Sequence, residues 1–353
     1  MTPRFLERLG DGLMVVVAED LEAERVVIVG LDDAGEEQFV HEFQGFEGHV
    51  WGSDVPESLA DWWQYTPRLV TSSTVRGVDE LLLVIASTVY SFDSELGTLN
   101  ELPIFTKIPL PGYWGYVSID VQLVAASADG RVAVRGNGPY SLSDYAVIGY
   151  DAALGVDFFE EDWQPGPGVM AAQQLMRTNY FGHVFSGGTS IDLTPTFQSI
   201  AAYDSDGGFS YFSDSPLFLT SWEGGFMYAA FSCMAQLSDG SIAIVQGFAD
   251  LDGGVDPPFA LFERWSINDA LLTSFTLPVD AWGVDCAPAT DDSGAYIAVR
   301  GQLVRMTPDG APSVVHDDET AAFIDLVLAP ENLKVTLVEE MDGVGTVRAL
   351  SVD

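Results

Sequence analysis

The sequence predicts an all-β fold built from one supersecondary unit repeated along the chain, and three observations predict it. Short apolar runs alternate with Asp/Ser/Gly turns from end to end. No long stretch carries a helical period. One stretch, residues 126–158, recurs in degraded copies at intervals of about fifty residues, the signature of an array of supersecondary units.

Within that stretch the elements follow in order. A strand end meets a tight Asp129-Gly130 turn, and an apolar strand, Val132 to Val134, leaves it. A second strand covers Ala146 to Tyr150, a turn covers Asp151 to Gly155, and a last strand covers Val156 to Phe158. Aspartate and glycine suit these turns because one bonds nearby backbone amides and the other accepts positive φ.

The second half of the unit recurs as VVIVGLDDAGEEQFV (26–40), VYSFDSELGTLNEL (89–102), VIGYDAALGVDFF (147–159), SIAAYDSDGGFSYF (199–212), FERWSINDALLTSF (262–275) and LVRMTPDGAPSVV (303–315). A final VRALSVD (347–353) is the same strand stopping where its turn would begin. The first half, a turn followed by a strand, appears as GDGLMVVVA (10–18), ADGRVAVRG (128–136), SDGSIAIVQG (238–247) and DSGAYIAVRG (292–301). Looser versions are VDELLLVIAS (78–87) and ENLKVTLVEE (331–340), with NYFGHVFSGG (179–188) in the fourth unit.

Repeats of about forty to fifty residues with four short strands are blades of a β-propeller. The reading is one propeller domain over residues 1–353, with seven blades near 3–43, 67–106, 118–160, 169–214, 230–277, 283–316 and 321–353. The last blade lacks an outer strand, so residues 3–9 are expected either to complete it or to open the first blade, with a shared first and last blade favoured. Residues 44–66 form a long connection with a helical turn expected at 56–63.

Charge excludes whole classes of partner. Fifty-three acidic residues face fourteen basic ones for a net charge of −39, and Lys107 and Lys334 are the sole lysines. Nucleic-acid binding needs a basic footprint, and anionic membrane surfaces repel such a chain. The acids are dispersed over turns, as on a solvated surface. No apolar run is long enough for a helical membrane span, and the first residues do not read as a signal peptide. Cys233 and Cys286 read as two buried thiols, with a bridge open to their strands if those are neighbours.

The candidate binding residues are aromatic. Five of the six connections between units carry tryptophan: Trp51, Trp62 and Trp63; Trp114; Trp163; Trp222; and Trp282. In a propeller such connections emerge on one face, so these rings form either an interaction surface, sugar-stacking included, or wedges between blades. Asp250, Asp252 and Asp256 surround Gly253-Gly254 with a spacing that suits hard oxygen ligation of calcium, although the EF-hand pattern fails at its fifth position and lacks the closing Glu. No other cofactor is expected. His41, His49, His183 and His316 are too scattered for zinc, and His183 reads as a core residue on an apolar strand. Glu160, Glu161 and Asp162 read as a solvated rim on a connecting segment rather than a catalytic carboxylate pair. Nucleophile-elbow, phosphate-loop and dinucleotide motifs are absent.

The repeats resemble the β-propeller superfamily over nearly the whole chain, and the hairpins Tyr150 to Gly155 and Tyr203 to Gly208 resemble those of quinoprotein-like bacterial propellers. The regular Gly-His and Trp-Asp pair of WD40 blades, the double glycine of kelch and the tryptophan docking motif of quinoproteins are missing, so the resemblance implies architecture and carries over no functional residue. The function expected is a non-enzymatic binding or structural protein, a component of a prokaryotic virus particle in its tail, fibre or capsid periphery. Its partners would be other subunits of the assembly and a cell-surface glycan, with cytoplasmic or extracellular placement as alternatives. The competing readings are a carbohydrate-active glycosidase or lyase and a calcium-dependent lectin-like binder. Arg135 and Arg300, aligned in units three and six, are the basic pair an enzyme would place beside acids at the channel mouth.

Overall fold

The computed structural model describes residues 1–46, 68–109, 116–127, 129–137, 144–163, 170–178, 184–191, 197–203, 209–215, 227–236, 242–250, 259–265, 271–277, 286–288, 295–299, 302–307, 312–318, 322–329, 334–341 and 344–351. Every regular element among them is a β-strand. The first sheet is β1 (Thr2–Arg8), β2 (Met14–Asp20), β3 (Arg25–Leu31) and β4 (Glu37–Gln44), and the second is β5 (Val70–Arg76), β6 (Glu80–Ile85), β7 (Thr88–Asp93) and β8 (Thr98–Glu101). A two-stranded ribbon of β9 (Lys107–Pro109) and β10 (Tyr116–Ser118) precedes the third sheet, β11 (Asp120–Ala126), β12 (Val132–Asn137), β13 (Asp144–Tyr150) and β14 (Val156–Trp163).

The fourth sheet contains β15 (Met170–Thr178), β16 (Val184–Ile191), β17 (Phe197–Tyr203) and β18 (Phe209–Ser215), and the fifth β19 (Met227–Gln236), β20 (Ile242–Asp250), β21 (Phe259–Trp265) and β22 (Leu271–Leu277). The sixth is β23 (Cys286–Pro288), β24 (Ala295–Val299), β25 (Gln302–Met306) and β26 (Pro312–Asp317), and the last has three strands, β27 (Ala322–Ala329), β28 (Lys334–Met341) and β29 (Val344–Ser351). In each sheet the strand order is the chain order. The expected strand-turn-strand unit is therefore a four-stranded meander.

Register gives each strand position a signature. First-to-second pairings skip one residue in β5–β6, β11–β12, β19–β20 and β27–β28, between Val70 and Ser72, Val121 and Leu123, Phe231 and Cys233, and Phe323 and Asp325. Such a bulge bends the leading strand and raises its twist. Second-to-third pairings run unbroken in β2–β3, β6–β7, β12–β13, β20–β21 and β24–β25. Third-to-fourth pairings shift again near the hairpin turn in β3–β4, β13–β14 and β21–β22, and at the end away from the turn, between Leu303 and Val304, in β25–β26.

The chain divides into two compact units, one of Met1–Leu6, Gly187–Ile200 and Tyr211–Asp353, the other of Glu7–Ser186 and Ala201–Ser210. In the second, the core lies between the second and third sheets, where Leu82, Val84 and Val89 meet Val121, Val124, Val134 and Ile148. Burial of a branched aliphatic side chain contributes about 1.5–3 kcal/mol, which makes this layer the main source of cohesion there. In the first, Tyr296, Ile297, Leu303, Val304 and Met306 are buried in β24 and β25. Arg348 of β29 pairs with Asp318 at 3.0 Å, and a Cβ on Gly345 would lie 2.8 Å from the Pro3 ring. The Pro3 ring thus lies against Gly345 of the last sheet, while β1 leads the first sheet in strand order.

Candidate binding surfaces at the sheet ends

A meander puts its first and third turns at one end and its second turn and outgoing connection at the other. Four described hairpins of the first kind share one turn, at Leu9 to Leu13, Asp32 to Glu36, Ser127 to Arg131 and Asp151 to Gly155. In each, the first residue's amide donates to the fifth residue's carbonyl and the fourth residue's amide donates back to the first residue's carbonyl. The fourth residue has positive φ in all of them: Gly12 (90°), Gly35 (81°), Gly130 (89°) and Leu154 (65°). This is the three-residue hairpin loop that ends in a left-handed residue and a bulge.

The turn aspartates are occupied locally. Asp32 Oδ1 accepts from the amides of Ala34 and Glu36 at 2.9 Å each, and Asp151 Oδ1 accepts from Ala153 at 2.8 Å and Gly155 at 2.9 Å. Asp93 Oδ1 accepts from Glu95 and Leu96 at 3.0 and 2.9 Å, and Asp11 Oδ1 from Leu13 at 2.9 Å. The Ser127 hydroxyl donates to Asp129, and this bond holds the Asp129 carboxyl below the usual carboxylate range. Successive sheets are tied here as well. The Gly10 amide donates to Val78 O at 2.7 Å, and the Gly77 amide to Ser127 O at 3.1 Å.

At the opposite end of the first sheet the Glu19 carboxylate, 1% exposed, accepts through Oε2 from the amides of Leu69 at 2.9 Å and Val70 at 2.8 Å. Asp20 next to it accepts from the Ala23 amide and pairs with Arg25 at 3.0 Å, which together hold its carboxyl below the usual range. Connections to the next sheet leave from this end in the second unit, where β4, β8 and β14 finish.

The structure places Trp163 as the last residue of β14, paired with Asp144, because β13 starts early enough to extend the ladder. Trp163 therefore ends a strand rather than lying within a connection. For the same reason Glu160, Glu161 and Asp162 belong to β14, opposite Val147, Ala146 and Tyr145, and not to a connecting rim. Trp51, Trp62, Trp63, Trp114, Trp222 and Trp282 lie outside the described residues, as do the helical turn expected at 56–63, His49 and His183. Asp250 ends β20 opposite Met227, so it sits at a strand end, and Asp252 and Asp256 lie outside the described residues. Cys233 and Cys286 stand in β19 and β23, opposite Val245 and Ile297.

Arg135 is 1% exposed in β12, between Leu123 and Val147 in register, and Arg300 is outside the described residues. Sequence reading passed over an aromatic ladder. Phe39, His41 and Phe43 alternate along β4 and surround Phe92 of β7, with ring centroids 5.8, 5.8 and 6.1 Å from it. The period of two in Phe39-x-His41-x-Phe43 was the available signal. This ladder seals the outer seam between the first two sheets, and it leaves Val40, 43% exposed, on the other face of β4.

No protein-family model matches the chain, and no curated protein matches it. Solved structures do. A WD40 β-propeller chain of the mitotic checkpoint complex is similar with a TM-score of 0.58 and 12% identity, over 99% of this chain and 86% of that one. A puromycin hydrolase is similar with a TM-score of 0.61 and 14% identity over 99% of this chain, which spans 52% of the hydrolase's length. A polysaccharide lyase is similar with a TM-score of 0.55 and 10% identity, over 97% of this chain and 88% of that one. Together with the consecutive four-stranded antiparallel meanders, these likenesses identify the fold: the chain is a β-propeller.

Proposed function

We propose that the chain is a non-enzymatic propeller that serves as a binding and structural subunit of a larger assembly, and that this assembly is a prokaryotic virus particle, with the chain in its tail, a fibre or the capsid periphery. The observation that carries the non-enzymatic part is Arg135. The sugar-cleaving alternative would set the aligned arginines beside acids at the channel mouth, and Arg135, 1% exposed and in register between Leu123 and Val147 of its own sheet, favours a structural role instead. The turn aspartates support the same reading, since Asp11, Asp32, Asp93 and Asp151 each bind amides of their own hairpin. Degenerate repeats and tryptophan-bearing connections support the assembly role, because packing roles tolerate sequence drift and aromatic residues favour interfaces.

The alternative is a carbohydrate-active enzyme. A polysaccharide lyase is among the structural neighbours, and at 10% identity it transfers no residue. Incubation of the full chain with a panel of acidic and neutral polysaccharides, read by reducing ends and by unsaturated product, separates the two. The proposal predicts no product with any substrate. Turnover of one polysaccharide contradicts it, and glycan binding without turnover agrees with a host-recognition role.

A further inference from the structure

We propose that Cys233 and Cys286 form a disulfide that staples the leading strands of the fifth and sixth sheets, β19 and β23, to each other. The bond is independent of the platform reading and rests on the sheet registers.

Register assigns each cysteine a position. In β5 the first residue after the skipped one is Ser72, paired with Val84, and in β19 it is Cys233, paired with Val245. Cys286 is placed by counting from the third hairpin, where Tyr150 and Met306 each pair with the residue six further on, Val156 and Pro312. Tyr150 also pairs with Val132 of β12, and Met306 with Ala295 of β24. Two residues along those strands, Val134 pairs with Val124 of β11 and Ile297 with Cys286. Cys233 and Cys286 thus repeat, in the fifth and sixth sheets, the places that Ser72 and Val124 hold in the second and third. β19 lies against β23 as β5 lies against β11.

In the second and third sheets these two places are in contact. The Ser72 hydroxyl donates to Val124 O and accepts from the Val124 amide, both at 3.2 Å. A seryl oxygen that bonds both backbone groups of one residue brings the two Cα atoms within about 7 Å, the span a disulfide needs. Val84, which faces the same way as Ser72, shares an apolar layer with Val124 and Val134, so the two places meet that layer from opposite sides. Ser73, which follows Ser72 as Val124 follows Leu123, reaches back to the preceding sheet and donates to Glu7 of β1 at 2.6 Å. One place therefore faces the next sheet and the following place faces the previous one. Cysteines at both are set towards each other.

The bond forms by thiol–disulfide exchange with a low-molecular-weight disulfide as oxidant. One cysteine thiolate attacks it and releases a thiol, and the second thiolate then displaces the other half from the mixed disulfide. Two thiols of the chain are oxidised, one external disulfide is reduced, and its two thiols carry away the protons. Ser72 and Val124 are 7% and 1% exposed, so at the equivalent places exchange completes before the sheets pack, and the finished bond is shielded from reductant. It closes a loop of about fifty residues, which restricts the unfolded chain strongly.

The test refolds the full chain in a mixture of oxidised and reduced glutathione and then unfolds it in an alkylating reagent. The expected result is a monomer in which neither cysteine is alkylated and one pair of peptides is cross-linked through both. Its urea midpoint should lie about 1 M above that of the chain refolded with excess reductant. The double variant Cys233→Ser with Cys286→Val copies the residues of the second and third sheets. It should match the reduced parent in midpoint and ignore glutathione. Two alkylated cysteines after oxidative refolding, glutathione adducts on each, or a disulfide between two chains overturns the staple. Equal parent midpoints with and without reductant overturn it as well.

Discussion

The Glu19 carboxylate binds the backbone of Val70, fifty-one residues further on, through a 2.8 Å hydrogen bond from its amide, and the same oxygen takes the Leu69 amide at 2.9 Å. An acidic side chain at the end of β2 thereby closes off the start of the next sheet's leading strand. Removing it strands two buried amides, so Glu19→Ala should destabilise the chain by about 3 kcal/mol in urea unfolding. Glu19→Gln keeps one acceptor and should lose less. Equal losses for the two variants would show that the amides are not what Glu19 serves.

Turn-to-turn contact at the other end gives a second expectation. A Cβ on Gly10 would overlap Val78 Cγ1, and the Gly10 amide already donates to Val78 O at 2.7 Å. Gly10→Ala should cost about 2 kcal/mol by forced separation of the two turns. In a Val78→Ala background the same change should cost clearly less, a coupling that a double-mutant cycle measures.

The repeated hairpin loop predicts the effect of its aspartate. Asp151→Ala removes an acceptor from the amides of Ala153 and Gly155 and should cost about 1 kcal/mol, with Asp151→Asn near the parent value. Thermal unfolding of the three proteins decides this.

The β6–β7 turn holds Ala86 at φ 47° and Ser87 at φ 66°, where side chains are strained. Ser87→Gly should therefore stabilise the chain by about 1 kcal/mol, against the usual direction for glycine. A fall in unfolding midpoint would mean that the hydroxyl contributes more than the turn geometry costs.

Tyr150 sets an alkaline limit. Its hydroxyl donates to Phe105 O at 2.8 Å, and burial pushes the phenol well above its ordinary pKa. The folded state prefers the protonated form, so this contribution is complete below about pH 10 and is lost as pH rises beyond it. Tyr150→Phe should be about 1 kcal/mol less stable at neutral pH yet lose less stability in the alkaline range. Parallel alkaline unfolding curves for the two proteins would refute the assignment.

Much of this fold was legible in the sequence because its turns use side chains that announce themselves. Asp32, Asp93 and Asp151, with the glycine or leucine after them, gave the third-to-fourth hairpins, and Asp11 and Asp129 gave the first turns. Leading strands were harder to see. β5 and β11 contain a bulge that breaks the alternation, so VTSSTVR and DVQLVAA do not read as clean period-two strands. The end of β14 was misjudged because acids and a tryptophan resemble a connection, although backbone pairing with Asp144 decides that position. The β4 ladder went unnoticed because a histidine between two phenylalanines reads first as a titratable group and only second as a packing ring. Tryptophan-bearing connections carry no periodic signal from which sequence could derive a geometry.

The most direct test of the central claim is sizing of the native source, with mass spectrometry of every fraction that contains the chain. A subunit of a larger assembly, as proposed, is expected in a particle at a fixed ratio to the other components and absent from the monomer fraction. A chain found wholly as a free monomer would contradict the claim.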